Sequence, residues 1–258
     1  MKAVILCGGM GTRLKEETEY KPKPMVEIGE MPMIWHIMKI YSHFGISKFV
    51  LCLGYKGSMI KDYFFNYEMR NSDFTIHLED RKINIHNQPT EKSWEITLAE
   101  TGANAMTGSR VKRIEQYIDE DVFLLTYGDG LSNVNINSLL EFHRSHGKIG
   151  TVTGVHPPSR FGELSIENNT VVNFNEKPQL HSGGLISGGF FVFNKKFFKY
   201  LSSAENCILE RDPMEKLASE GQLMVYKHSG FWQCMDTYRD FEFLNKKWIE
   251  NKAEWKVW

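Results

Sequence analysis

At 258 residues, 41% hydrophobic and 24% charged, the chain has the make-up of a soluble globular protein with one sizeable domain. Its formal net charge of −1 supplies no global field toward nucleic acid or an anionic membrane, so any anion site must be local. No stretch approaches the ~20 apolar residues that span a bilayer. The first apolar run is too short for a signal peptide and is followed closely by Arg13, Lys15, Glu16 and Glu17. A cytoplasmic location is expected, with no membrane and no nucleic-acid partner. Cys7, Cys52, Cys207 and Cys234 are scattered without a C-x-x-C pair and read as free thiols in a reducing compartment.

In chain order, Lys2–Leu6 reads as a short buried strand. Pro32–Phe44 reads as a helix, with Pro32 suited to its first turn, Gly45 to its end, and Ile34, Ile37, Met38 and Tyr41 on one face. Phe49–Leu53 is a second buried strand, Ser58–Tyr67 a helix and Val122–Thr126 a third strand. This β-α-β-α-β series implies an α/β fold: a mostly parallel sheet covered by helices. Between the second and third strands, the runs FTIHL and KINIH suggest a small accessory β region. Gly150–Val155, Leu164–Ile166, Val171–Phe174 and Ile186–Phe193 read as strands, some of them antiparallel. Asp212–Glu220 and Tyr238–Glu250 read as helices. No linker is visible, so the chain is expected to be a single domain with a soft division near 130.

The first strand ends in LCGGMGTRL. Glycines let backbone N–H groups approach phosphate oxygens and tolerate the positive φ of such a loop. Arg13 adds a planar cation that grips phosphate in two places. The run is not a P-loop, lacking Gly-Lys-Ser, and Leu14 stands where a dinucleotide fingerprint has its third glycine. The kinase His-Arg-Asp and Asp-Phe-Gly motifs are missing. Ten residues on, KPKPM holds Lys21 and Lys23 between prolines on extended backbone, with both lysines expected to point the same way.

LCGGMGTRL followed by KPKPMVEIG resembles the sugar-phosphate nucleotidyltransferases. The resemblance implies a Rossmann-like fold, with residues 1–130 as the nucleotide-binding half and 131–258 as the sugar-phosphate half. It implies displacement at the α-phosphorus of a nucleoside triphosphate by a sugar-phosphate oxygen, with pyrophosphate leaving. That nucleophile is already ionised near neutral pH, so fixed cations and a metal are needed rather than a general base. Asp129, in TYGDG, follows an apolar strand and so stands at the edge where open α/β sheets bind ligands. By resemblance, Asp129 and Asp236, the latter in FWQCMDT, are ligands of Mg²⁺; taken alone, either would also suit a turn or helix cap. Arg13 and Lys23 are then assigned to the triphosphate. Glu176 and Lys177 of EKP, after Arg160–Leu164, are assigned to the sugar and its phosphate, with Gly162 allowing close backbone approach. The nucleotide set is completed by Leu6, Gly8, Gly9, Gly11, Thr12, Thr107, Arg110 and Gly128.

Glu100–Gly102 and Met106–Arg113, with IWHIMK, GYKG and GFFVFN, are similar to the cytidylyltransferase branch. That branch implies CTP as donor, glucose 1-phosphate as acceptor, CDP-glucose as product and a homo-oligomer, a hexamer by resemblance. Arg110 is expected to turn inward to the nucleotide, with Lys112 and Arg113 mostly solvated beside a core face of Val111, Ile114 and Ile118. One departure is Ser187, where relatives carry an asparagine that reaches the sugar. A serine keeps one hydroxyl and loses the amide. A different nucleoside triphosphate or phosphate acceptor stays open on this reading, as does a non-catalytic nucleotide-sugar-binding subunit. His36 is read as packing, and the methionines and Phe64-Phe65 as core. Trp248, Trp255 and Trp258 fit either a subunit contact or docking on their own domain.

Overall fold

Seven segments form one sheet: β1 (Lys2–Leu6), β2 (Lys48–Leu53), β3 (Glu95–Glu100), β4 (Val122–Tyr127), β5 (Gly150–Val155), β6 (Ile186–Asn194) and β7 (Leu223–His228). The computed structural model describes residues 1–9, 11, 14–87, 89–157, 163–167, 170–175 and 184–258. Spatial order is β7-β5-β6-β4-β1-β2-β3. β1 runs parallel to both β2 and β4, with Leu6 in register with Cys52 and Tyr127. β6 is antiparallel to both its neighbours, β4 and β5. The strand ends that follow β1, β2, β3 and β4 therefore share one edge, and the start of β6 arrives there too.

The alternation along β1 assigns its residues to two cores. Ala3 and Ile5 join one cluster with Ile34, Ile37, Met38 and Tyr41 of helix α1 (Met33–His43). Val4 and Leu6 join another with Val111 and Leu217. Those two residues lie on α3 (Thr107–Arg113) and α5 (Asp212–Ser219), which follow α2 (Gly57–Phe65) and α4 (Ile136–His146) in the chain. The last helix, α6 (Tyr238–Ile249), packs Leu244 into the first core.

The expected strands and helices form, with ends shifted by at most two residues. The accessory hairpin pairs Phe74–Ile76 with Ile83–Ile85. Three of the sheet and helix elements, β3, α4 and β7, were not expected. α4 carries its cap signals openly, since Asn135 accepts from the Ser138 N–H and Gly147 closes the helix at φ +64°. β7 is an edge strand with Met224 and Val225 exposed, so its pattern is weak. Phe65 corrects a reading: it is 86% exposed, while Phe64 packs against the core, because consecutive helical residues point apart.

The C-terminal tryptophans dock on their own domain. Trp255 is fully buried, and its indole N–H donates to His36 Nδ1 at 3.4 Å. His36 is therefore the neutral tautomer with its proton on Nε2, which donates to Ile28 O at 2.9 Å. Burial lowers His36 to about 4, against backbone hydrogen bonds that raise it. His143, whose Nδ1 meets Thr151 Oγ1 at 2.8 Å, is also lowered to about 4, first by burial and then by His146 and Arg144. Both groups bind protons more readily unfolded than folded. Their contribution is complete above pH ~6.5 and is lost as pH falls toward 4. Urea denaturation should show stability level near pH 7–8 and lower by on the order of 2–4 kcal/mol at pH 5. A flat profile over that range would contradict the buried neutral imidazoles.

Candidate active site

Four loops converge at the carboxyl edge of the parallel strands. Gly8, Gly9 and Gly11 follow β1, Gly54 follows β2, Thr101 and Gly102 follow β3, and Gly128 and Asp129 follow β4. Gly128 is required by crowding: a Cβ there would lie 2.7 Å from Leu6 O and 2.9 Å from Pro24 Cγ. Its N–H donates to Leu6 O at 3.0 Å, which ties the β1 and β4 ends together. Gly11 sits at φ +64°, and open space surrounds the position where Gly9 would carry a Cβ.

Lys23 lies on a short 3₁₀ turn, Lys23–Met25, between two prolines. Its ammonium meets Asp129 Oδ2 at 2.6 Å and Asp236 Oδ1 at 2.6 Å, with the lysine side chain only 11% exposed. Desolvation pulls the Lys23 pKa down, but both carboxylates raise it and the net shift is upward. Lys21, expected to point the same way, instead reaches Glu27 at 3.6 Å and Glu17 at 4.0 Å. The turn at Lys23 breaks the extended run that would have aligned the two lysines.

Asp236 is not the cap of α6. Thr237 is, in a reciprocal capping box with Asp240, whose Oδ2 also accepts from the Asp236 N–H at 3.1 Å. Cys234 Sγ lies 3.7 Å from Asp236 Oδ2, and burial followed by the nearby carboxylates pushes its thiol up to about 12. The donor set around Lys23 is oxygen only and carries one negative charge more than the lysine neutralises. That suits a hard divalent cation held by two carboxylates, with its other ligands from phosphate and water. Among the described residues no set of three or more His, Cys, Asp or Glu forms a closed metal cage.

Arg110 turns inward from α3, as expected, but its donors go to the protein. Nη1 faces Leu53 O, Thr101 Oγ1 and Gly102 O at 3.0, 2.9 and 2.7 Å, and Nη2 faces Gly8 O and Ala103 O at 3.0 and 3.2 Å. The guanidinium is wedged between Gly8 and Gly54, where a Cβ would fall 2.2 and 2.3 Å from it. Lys112 and Arg113, expected to be mostly solvated, are half-buried. Lys112 reaches Phe198 O at 3.0 Å, and Arg113 reaches Thr101 O and Ser203 O at 2.8 and 3.0 Å.

Thr107 opens α3 and donates to Glu210 Oε2 at 2.7 Å, while Tyr127 OH donates to the other oxygen of the same carboxylate. Glu210 was not anticipated, because its partners lie 83 and 103 residues away and no local motif marks it. The Thr237–Asp240 box was also missed, since the cap was offered to Asp236, although T-x-x-D is the signal that marks it. Ser187 is exposed at the start of β6, and its Oγ accepts from the Gly189 N–H at 3.4 Å. Trp232 Nε1 donates to Gly188 O at 2.7 Å, joining this strand to the segment that carries Asp236. Thr12, Arg13, Gly162, Glu176 and Lys177 lie outside the described residues.

The family model described as "Nucleotidyl transferase" matches residues 2–249. The chain belongs to the nucleotidyl transferase family. This nucleotidyl transferase is 48% identical, over all of both chains, to glucose-1-phosphate cytidylyltransferase of Salmonella typhi. It is 30% identical to the mannose-1-phosphate guanylyltransferase catalytic subunit beta of Dictyostelium discoideum, covering 93% of this chain and 62% of the relative. A UTP-bound UGPase from Acinetobacter baumannii shares the fold at a TM-score of 0.72 and 17% identity, covering 98% of this chain and 95% of that one. Members of the family are enzymes that join a nucleoside triphosphate to a sugar 1-phosphate and generally use a divalent metal. No helix among the described residues of this nucleotidyl transferase is long and apolar enough to cross a membrane.

Removing the Arg110 guanidinium would empty a buried site and take a donor from carbonyls of three strand-end loops, although Leu53 O keeps the Thr101 N–H at 3.1 Å and Gly8 O the Tyr55 N–H at 3.5 Å. Arg110→Ala should cost roughly 3 kcal/mol or more, lowering Tm by roughly 6–12 °C. Thermal denaturation with and without nucleotide checks this; an unchanged Tm would show that the loops hold themselves.

Proposed function

We propose that this protein transfers a cytidylyl group from CTP to glucose 1-phosphate, giving CDP-glucose and pyrophosphate. The observation that carries the chemistry is the single buried ammonium of Lys23 shared by Asp129 and Asp236 at the ligand-binding edge of the sheet. The choice of CTP and glucose rests on the full-length likeness to the Salmonella typhi cytidylyltransferase. A phosphate oxygen of the sugar phosphate attacks the α-phosphorus of CTP, a new P–O bond forms, and the bond to the β-phosphate bridge oxygen breaks. The pyrophosphate leaves with the electron pair. The nucleophile is ionised near neutral pH, so no residue need remove a proton.

Asp129 and Asp236 would hold Mg²⁺, which supplies charge neutralisation on the phosphates when bound. Lys23, an ammonium held by both carboxylates, offers a fixed positive charge to the triphosphate and its leaving group. Arg13 and the loop N–H groups around Gly8, Gly9, Gly11 and Thr12 serve the same end. Leu6, Thr107, Arg110 and Gly128 shape the nucleotide pocket. Lys177 holds the sugar phosphate, while Glu176, Gly162 and Ser187 line the sugar. The cysteines, free thiols throughout, suit a cytoplasmic enzyme. The exposed apolar residues Phe74, Ile76, Leu78 and Ile83 of the accessory hairpin support a homo-oligomer.

Pyrophosphate release from CTP, UTP, dTTP, GTP and ATP, each with Mg²⁺ and glucose 1-phosphate, tests the assignment. CTP should lead the others by about 100-fold in kcat/KM. Silence with all five while CTP still binds would move the acceptor away from glucose and point to Ser187. Arg13→Ala and Lys23→Ala should each lower kcat by roughly 100-fold or more; full turnover in either would remove that residue from the mechanism.

A further inference from the structure

Lys23 and Asp236 come from opposite ends of the chain, yet their charged atoms meet at 2.6 Å. Two routes connect them, and the second runs through the C-terminus. After Lys23 the chain forms a tight hairpin, Glu27–Ile28 paired with Met31–Pro32 and turned at Gly29. After Asp236 it forms α6, whose capping residue Asp240 holds the Asp236 N–H. The far end of α6 then grips the hairpin. Asn245 Oδ1 accepts from the Gly29 N–H at 2.9 Å, and its amide donates to Glu27 O at 3.4 Å. Trp248 covers Gly29 so closely that a Cβ there would lie 2.3 Å from its indole nitrogen.

The tail beyond α6 completes the grip. Trp255 is fully buried and donates to His36 Nδ1, and His36 Nε2 donates to Ile28 O on the hairpin strand. His36 and Trp248 meet edge-to-face at 4.7 Å, and Trp248 and Trp255 stack at 6.3 Å. The hairpin that follows Lys23 is thus fixed from one side by α6 and from beneath by the tail. The rigid path runs Asp236, α6, Asn245 and Trp248, hairpin, Lys23, and closes on Asp236 through the ion pair.

We propose that Trp255 and Asn245 are positioning residues of the active centre: the C-terminal clasp on the 27–32 hairpin sets where the Lys23 ammonium stands relative to Asp129 and Asp236. The inference rests on the role assigned to Lys23 above. A fixed charge acts on a transition state only where it is placed, and a displacement of about 1 Å far from the chemistry costs on the order of 100-fold. Among the described residues the clasp's hydrogen bonds and ring contacts reach neither Gly8, Gly9 and Gly11 nor Ser187, so its loss should fall on turnover and on CTP, through Lys23, rather than on capture of the sugar phosphate.

The test is steady-state kinetics on the full-length protein with CTP, Mg²⁺ and glucose 1-phosphate, at a temperature where circular dichroism shows each variant folded. Trp255→Ala should lower kcat at least 10-fold, with KM for glucose 1-phosphate within about threefold, and Trp255→Phe, which keeps an aromatic ring there, should recover kcat to within about threefold of the parent. Should Trp255→Ala fail to fold, Asn245→Leu decides by the same split between kcat and KM. Unchanged kcat in the folded variant, or a loss carried by KM for glucose 1-phosphate, overturns the proposal. Lys23→Ala is measured beside them. If it is inactive while Trp255→Ala is fully active, only the clasp falls; if Lys23→Ala itself turns over normally, the role of Lys23 falls and the clasp with it.

Discussion

A lysine ammonium held at 2.6 Å by each of two carboxylates is the constraint around which the edge of the sheet is arranged. Charges so enclosed are costly to desolvate, and removing one partner leaves the others uncompensated. Here three separate segments must deliver one charge each to the same point. β4 brings Asp129, the strand before α6 brings Asp236, and the proline-flanked turn brings Lys23. The glycine at 128, pressed between Leu6 O and Pro24, is the steric condition that lets the first and third of these meet.

A second charge works differently. Arg110 is 4% exposed and bonds to carbonyl and hydroxyl oxygens of the loops after β1, β2 and β3. Burial lowers its pKa, the largest influence on it, and nearby Arg113 adds to that. Carbonyl groups satisfy its donors without cancelling its charge. The glycine loop therefore rests on a positive centre, which complements the anionic substrates the site is assigned.

Much of this was legible in the sequence, and the reasons differ by residue. Strands β1, β2 and β4 declared themselves as short apolar runs because both their faces are buried. Asp129 was locatable since it follows such a run, whereas the cap on α6 was offered to Asp236 and falls to Thr237 and Asp240, a local signal that went unread. The direction of Lys21 was not legible, because a 3₁₀ turn that begins two residues later breaks the expected alignment. Glu210 was invisible for a different reason: its partners Thr107 and Tyr127 are distant in the chain, and an isolated glutamate has no pattern. The tryptophans gave a composition signal without an address, which the packing of Trp255 on His36 supplies.

The antiparallel course of β6 has its own consequence. Strands β1 to β4 deliver their residues to the site as the chain leaves the sheet, whereas β6 delivers Ser187 and its neighbours as the chain enters it. Beyond Gly189 the strand is committed to the core through Phe190 to Phe193. On the proposed role of Ser187, variation on the acceptor side would fall upstream of that anchor. Such a layout lets a lineage revise which molecule accepts the nucleotide while the parts that hold the triphosphate, built from different strand ends, stay as they are.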